Sequence, residues 1–335
     1  MMVVTVKWIK GLWAAVTLSV VALLLPHQAN AQSDAAFTQY FQVPTYYNPA
    51  AVGATDYLRI RGGSRLQWIG IENAPRTFLA TADMPFRLFG KRFGTGIVLQ
   101  QESLGLYNSV MLDAQIGYKL KMLKGELTIA AQVGMVSETF RGSEVFIPDN
   151  DDYHDSGDEA IPSSDINGTS IDLGVGAWFE HRWFWAGLSC THVNSPTVKM
   201  SMEGDASGED RSYEFSFGRV AYFMAGSNIP VKNTLFEVMP SVLVKSDFTF
   251  TQAEFTARVR YNKFLTAGLG YRTSDAVSLI LGAEIKGFFI GYSYDYPVSD
   301  IVKASSGSHE VFAGYSLKLD LSEKNRHRHK SIRIM

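Results

Sequence analysis

Few residues in this 335-residue chain are placed to do chemistry. Ser308-His309-Glu310 carries the residue types of a nucleophile, a base and an acid. Neighbours on an extended strand point to opposite faces, so the three cannot converge on one reacting atom by themselves. Asp149, Asp151, Asp152 and Asp155 form an acidic run whose carboxylates suit Ca²⁺, which takes oxygen ligands. The run lacks the glycine of an EF-hand loop, and acidic loops more often serve only to be solvated. His154 and His192 stand alone in loops and point to no metal. The single Cys190 excludes a disulfide framework and a thiolate zinc site. There is no Walker-type phosphate loop, no GxGxxG fingerprint in a βαβ setting and no CxxC pair. The sequence therefore argues against an enzyme and requires no cofactor, Ca²⁺ at the acidic loop being the one candidate. A formal net charge of -2 argues against nucleic acid, which wants a strongly basic face.

What the sequence does carry is a strand pattern. Beyond residue 55 it falls into short segments that alternate apolar and polar, the mark of a strand with two unlike faces. Phe255, Ala257, Val259 and Tyr261 share one face, while Glu254, Thr256, Arg258 and Arg260 share the other. Leu127 to Met135, Ile171 to Phe179, Val277 to Ile285 and Val311 to Leu319 repeat the pattern. About fourteen such segments can be placed between residues 56 and 320, among them 169–180, 182–191 and 211–225. Their loops sort by parity. Connections after odd segments include the long stretches 139–168, 192–210 and 297–307, whereas those after even segments are mostly tight, as at Asn262-Lys263 and Lys286-Gly287. Acidic residues (Glu144, Asp158, Glu159, Asp205, Glu209, Asp210) gather in the long loops, and Arg87, Lys91, Arg92, Lys121, Lys124, Lys232, Lys263 and Lys286 in the short turns. An even strand count with short turns at one end and long loops at the other predicts a transmembrane antiparallel up-and-down β-barrel, apolar outside and polar inside. An interior of that width leaves room for a ligand, a plug or a partner's tail.

The ends add three segments. Lys7 and Lys10, the apolar run Gly11 to Leu25, and Ala29-Asn30-Ala31 predict a signal peptide over residues 1–31. Residues 32–55 are aromatic, contain Pro44 and Pro49, and do not suit a spanning strand; they predict a plug or a periplasmic segment. Residues 321–335 form a basic tail, a solvated end or a docking peptide. Both ends of the mature chain are expected on the short-turn side, with the acidic rim facing outward.

Four strings then carry a resemblance. Tyr46-Tyr47-Asn48-Pro49-Ala50, preceded by Phe37 to Tyr40 and followed by Gly53, resembles the opening of the PorP/SprF family. Arg65-Leu66-Gln67-Trp68-Ile69-Gly70 with Ala74-Pro75-Arg76-Thr77 resembles its hairpin signature. Gly291 to Asp295 and Gly307-Ser308-His309-Glu310 are similar to its closing strands. The resemblance implies an outer-membrane component of the type IX secretion system of Bacteroidota. It implies partners among the periplasmic ring and motor proteins, or cargo bearing a C-terminal signal domain, in some members one large adhesin. A passive channel for a hydrophobic or small polar solute is the alternative reading of the same barrel.

Overall fold

The computed structural model describes residues 34–145, 162, 164–201 and 212–321. Its strands in chain order are β1 (Tyr57–Leu66), β2 (Arg76–Leu88), β3 (Lys91–Leu104), β4 (Tyr107–Met122), β5 (Gly125–Phe140), β6 (Ile166–Glu180), β7 (Trp185–Thr191), β8 (Thr197–Ser201), β9 (Ser212–Ser216), β10 (Val220–Gly226), β11 (Ile229–Pro230), β12 (Phe236–Ser246), β13 (Thr251–Tyr261), β14 (Leu265–Arg272), β15 (Ala276–Ile285), β16 (Phe288–Pro297) and β17 (Ser308–Lys318). β1–β7, β10 and β12–β17 form a closed antiparallel barrel of fourteen strands. Closure is made by β1 against β17, from Tyr57 opposite Lys318 to Leu66 opposite His309.

The alternation predicted from sequence is the alternation of the wall. Phe255, Val259, Leu279, Leu281, Ile129 and Val133 face outward and are exposed, while Glu254, Thr256, Arg258, Ser278, Thr128 and Gln132 face the lumen and are buried. Such an outer surface suits lipid, which cannot hydrogen-bond a polar face. No helix among the described residues is long and apolar enough to cross a membrane; any crossing is made by strands.

Three expectations need correction or limits. The segment 211–225 is two elements, not one strand. Ser212–Ser216 pairs with β8 in a hairpin of the long-loop end, and only Val220–Gly226 belongs to the wall. The break comes where the Phe217 N–H donates to the Pro196 carbonyl at 2.9 Å and its ring joins Val136, Ile166, Val198 and Met200 in a small apolar cluster. The first described residues also do not lie at the short-turn end. Asp34 lies beside His192, in the loop after β7 at the long-loop end, and the chain descends from there through the lumen to β1. Of the long-loop acids named from sequence only Glu144 is described, paired with Arg141 at 3.0 Å; Asp149 to Glu159, Asp205, Glu209 and Asp210 lie outside the described residues.

That descending strap, residues 34–55, fills the barrel. Phe37, Tyr40, Tyr47, Ala50, Ala51 and Val52 are fully enclosed. It makes three short helical turns, Tyr40–Gln42, Pro44–Tyr47 and Pro49–Ala51. Pro44 and Pro49 open two of them, where the missing N–H costs nothing. The Asn48 side chain caps the last, accepting from the Ala50 N–H at 2.9 Å.

The wall makes way for the strap with glycine. A side chain at Gly94 would collide with the Val52 carbonyl, and one at Gly176 with the Asn48 carboxamide. Gly282, on the same inner surface, meets only ordinary contacts. Overpacking costs about 1–3 kcal/mol. Gly94→Val and Gly176→Val should therefore lower the temperature at which unheated protein loses its compact gel mobility, and Gly282→Val should lower it less. Equal losses at all three sites would mean that the strap does not depend on these gaps.

Candidate functional site

The strap is held by three groups of contacts, and the one around Thr38, toward the long-loop ends of its strands, is built from charge. Arg65 of β1, Arg272 of β14, Glu254 of β13, Asp295 of β16 and Glu310 of β17 all point inward and are buried. Arg65 pairs with Asp295 at 2.7 Å and with Glu310 at 3.2 Å. Arg272 pairs with Glu254 at 2.9 Å, with Asp275 at 2.8 Å and with Asp295 at 3.5 Å. Thr38 sits among them. Its hydroxyl donates to the Asp295 carboxylate at 2.7 Å and accepts from Arg272 at 2.9 Å and Arg65 at 3.3 Å. Its N–H and that of Gln39 donate to the two oxygens of Glu310 at 2.9 and 2.8 Å. Removing one partner of a buried pair typically costs about 3–5 kcal/mol, because it leaves a charge uncompensated.

The long-loop level is a chain of hydrogen bonds through His192. Its Nδ1 lies 2.9 Å from Asp172 of β6 and its Nε2 3.0 Å from Asp34 of the strap. Tyr222 and Lys245 also donate to Asp34, the first to its carboxylate and the second to its carbonyl. His192 is thus a lock between wall and strap rather than the lone loop histidine expected from sequence. Burial disfavours its charged form, but the Asp34 and Asp172 carboxylates outweigh that and raise its pKa to about 10. Burial likewise opposes charge on Asp34, and the His192 charge and hydrogen bond, with Lys245, hold its carboxyl well below the usual range.

At the short-turn level Asp83 of β2 accepts from the Gly53 N–H at 2.9 Å and pairs with Arg59 at 2.9 Å. In between, Asn48 donates to the carbonyls of Ala177 and Leu188, on adjacent strands, at 3.1 and 3.2 Å. Apolar packing joins these levels, with Phe37 edge-on to Phe312 and Tyr47 edge-on to Tyr222.

The chain matches the family described as "Type IX secretion system membrane protein PorP/SprF" over residues 29–315. It belongs to that family.

The residues quoted for the PorP/SprF resemblance fall in two places. Tyr47, Asn48, Pro49 and Ala50 lie in the strap, and Glu310 is the wall acceptor for its Thr38 and Gln39 N–H groups. Gln67, Trp68, Gly70 and Pro75 form the β1–β2 loop at the long-loop end, where the Trp68 N–H donates to the Ser308 hydroxyl at 3.1 Å and the Ile69 N–H to the Gly307 carbonyl at 2.8 Å. His309 points outward to the Tyr292 hydroxyl at 2.7 Å, while Ser308 and Glu310 are buried inside, so this triplet assembles no reacting centre. Among the described residues no group of three His, Cys, Asp or Glu side chains could hold a metal ion. Asp149, Asp151, Asp152, Asp155 and His154 lie outside them.

Among solved structures, the PorP/SprF chain is similar to the Pseudomonas putida toluene transporter TodX, at 12% identity over 86% of this chain and 95% of that one, with a TM-score of 0.46. It is similar to a Pseudomonas aeruginosa FadL homologue at 10% identity, over 82% and 93%, with a TM-score of 0.47. The translocator domain of the autotransporter NalP from Neisseria meningitidis matches at 11% identity, over 78% and 87%, with a TM-score of 0.43. No curated protein matches the chain.

Two predictions follow from the anchors. Thr38→Val keeps the volume but removes the hydroxyl between two arginines and Asp295. It should destabilise the strap by about 1–3 kcal/mol, read as faster proteolysis within residues 34–55 of the folded barrel. Unchanged proteolysis would deny the hydroxyl its role. The second concerns pH. The raised His192 pKa contributes stability in full below about 6.5 and loses it as pH rises through about 10. The lowered Asp34 pKa contributes above about 3.9 and loses it only in strong acid. Proteolysis near Asp34 should therefore be slow and flat across neutral pH and accelerate above about pH 10, and His192→Gln should abolish that alkaline step.

Proposed function

We propose that this chain is an outer-membrane component of type IX secretion that supports export or surface attachment of proteins with a C-terminal signal domain, and that it acts through protein contacts. The family match over residues 29–315 carries the reading. The filled lumen supports it against the alternative of a passive channel for a hydrophobic or small polar solute, since enclosed strap residues occupy the path such a solute would take.

The short-turn rim supports contact with a periplasmic partner. The turns Phe89-Gly90, Leu123-Lys124, Asn262-Lys263 and Lys286-Gly287 all take positive φ at both residues, between 50° and 86°. Asn and Gly are the usual residues there, because other side chains meet a cost of about 1–2 kcal/mol. Phe89 and Leu123 nevertheless stand at turn tips, 92% and 76% exposed, among Arg87, Lys91, Lys121 and Lys124. Beside them a cleft of about 690 Å³ opens between Asp56, Arg92, Lys121, Lys124, Glu180 and Arg182. Apolar knobs among cations suit a partner with apolar pockets rimmed by carboxylates, and we seek that partner among the periplasmic ring and motor proteins of the system.

In this assignment residues 1–31 are a signal peptide cleaved after Ala31, the short turns face the periplasm, and residues 321–335 extend there as a docking peptide. A single large adhesin as cargo is the narrower form of the reading, and an adhesin gene beside this one would favour it. We assign the chain no catalysis.

Deleting the gene should leave cargo with a C-terminal signal domain inside the cell or shed from its surface. Normal export and attachment of every such cargo would contradict the proposal. Truncation after Asp320 should impair export while the barrel keeps its heat-dependent gel shift; unchanged export would make the tail a merely solvated end.

A further inference from the structure

Seven of the wall's hydrogen bonds to the strap are made to its main chain. Besides the Thr38 and Gln39 N–H groups on Glu310 and the Gly53 N–H on Asp83, the Gln115 side chain donates to the Thr45 carbonyl at 2.8 Å. Ser189 donates to the Tyr47 carbonyl at 2.6 Å, and Arg59 to the Ala51 carbonyl at 3.3 Å. Lys245 donates to the Asp34 carbonyl. All seven are groups that any polypeptide offers. They come from side chains of β1, β2, β4, β7, β12 and β17, so recognition surrounds the strap.

No strap residue enters the sheet, so its removal would break no ladder of the wall. Its downstream link to the wall is the short connection through Thr55 and Asp56. The node's ion pairs lie within the wall, and the strap adds one hydroxyl and two N–H groups to them, so a segment without the hydroxyl leaves buried wall charges short of a partner. A ring of main-chain donors and acceptors around a charged node suits a ligand that is read and released.

We propose that the lumen is a polypeptide-binding tunnel whose resident strap is exchangeable, and that a segment of another polypeptide, folded in the same short helical turns, can take its place. The segment would enter as main chain against Glu310, Gln115 and Ser189. A hydroxyl-bearing residue would sit between Arg65, Arg272 and Asp295, and an asparagine would bridge β6 and β7 as Asn48 does. This rests on the lumen's geometry and is independent of the secretion reading, because its test involves no export.

The experiment uses the full chain with a protease site inserted between Thr55 and Asp56, cut only after the barrel has assembled. A fluorescent synthetic peptide of residues 34–54 is then added, and its uptake followed by anisotropy. The tunnel predicts saturable uptake of one peptide per barrel as the cut strap leaves. A peptide carrying Thr38→Val should bind about tenfold more weakly or worse. A barrel carrying Glu310→Gln should show a similar loss on the unaltered peptide; if that barrel fails to assemble, the variant peptide on the unaltered barrel decides. No uptake by the cut barrel would overturn the proposal, whether the strap is lost or retained. So would equal uptake of both peptides.

Discussion

A wall of fourteen strands encloses more space than its inward side chains can fill, and the rest of this molecule follows from how that space is used. Left open, it would be an aqueous channel. Here a segment of the same chain, residues 34–55, enters it and is buried along nearly its whole length. Because the barrel is apolar outside, its polar residues must turn inward, and the strap therefore meets a charged wall. Buried charges are tolerable only when paired and hydrogen-bonded. The Thr38 node answers that demand: two arginines pair with three carboxylates around a single hydroxyl, with Asp275 at the edge.

The same constraint accounts for composition. The chain has 29 glycines, and several stand where the strap presses against the wall rather than in turns, as Gly94 does beneath Val52 and Gly176 beneath Asn48. The aromatic residues divide between the lipid-facing surface and the lumen, where Phe37 and Tyr47 of the strap pack against Phe312 and Tyr222 of the wall. Prolines open the strap's helical turns and so keep it from extending into a strand that would compete for the sheet.

Much of the wall was legible because a period of two is a local signal. Glu254 and Arg258 fall on one face and Phe255 and Val259 on the other by spacing alone, and the structure buries and exposes them accordingly. The β9–β10 boundary was not legible: Phe217 continues the apolar pattern, and only its long-range contacts with Val198 and Met200 pull it out of the wall. The direction of the strap was hidden for the same reason. Asp34 looks like a polar residue near an end, and its partners His192, Tyr222 and Lys245 are more than 150 residues away. Alternation placed Glu254 inside but could not join it with Arg272, Asp295 and Thr38, since pairing across a lumen leaves no spacing in the chain. Asn48 and Glu310 were marked by family resemblance, and the structure supplies the physical work each does: one bridges two strands, the other receives two successive N–H groups.

The central claim is that the strap closes the lumen and that the charged node keeps it there. Single-channel recording in planar bilayers tests this most directly, with wild-type protein beside a Thr38→Val, Asn48→Ala double variant. The account predicts that wild type passes no steady current and that the double variant shows frequent openings. A steady wild-type conductance of the size expected for an open barrel, unchanged in the variant, would contradict it.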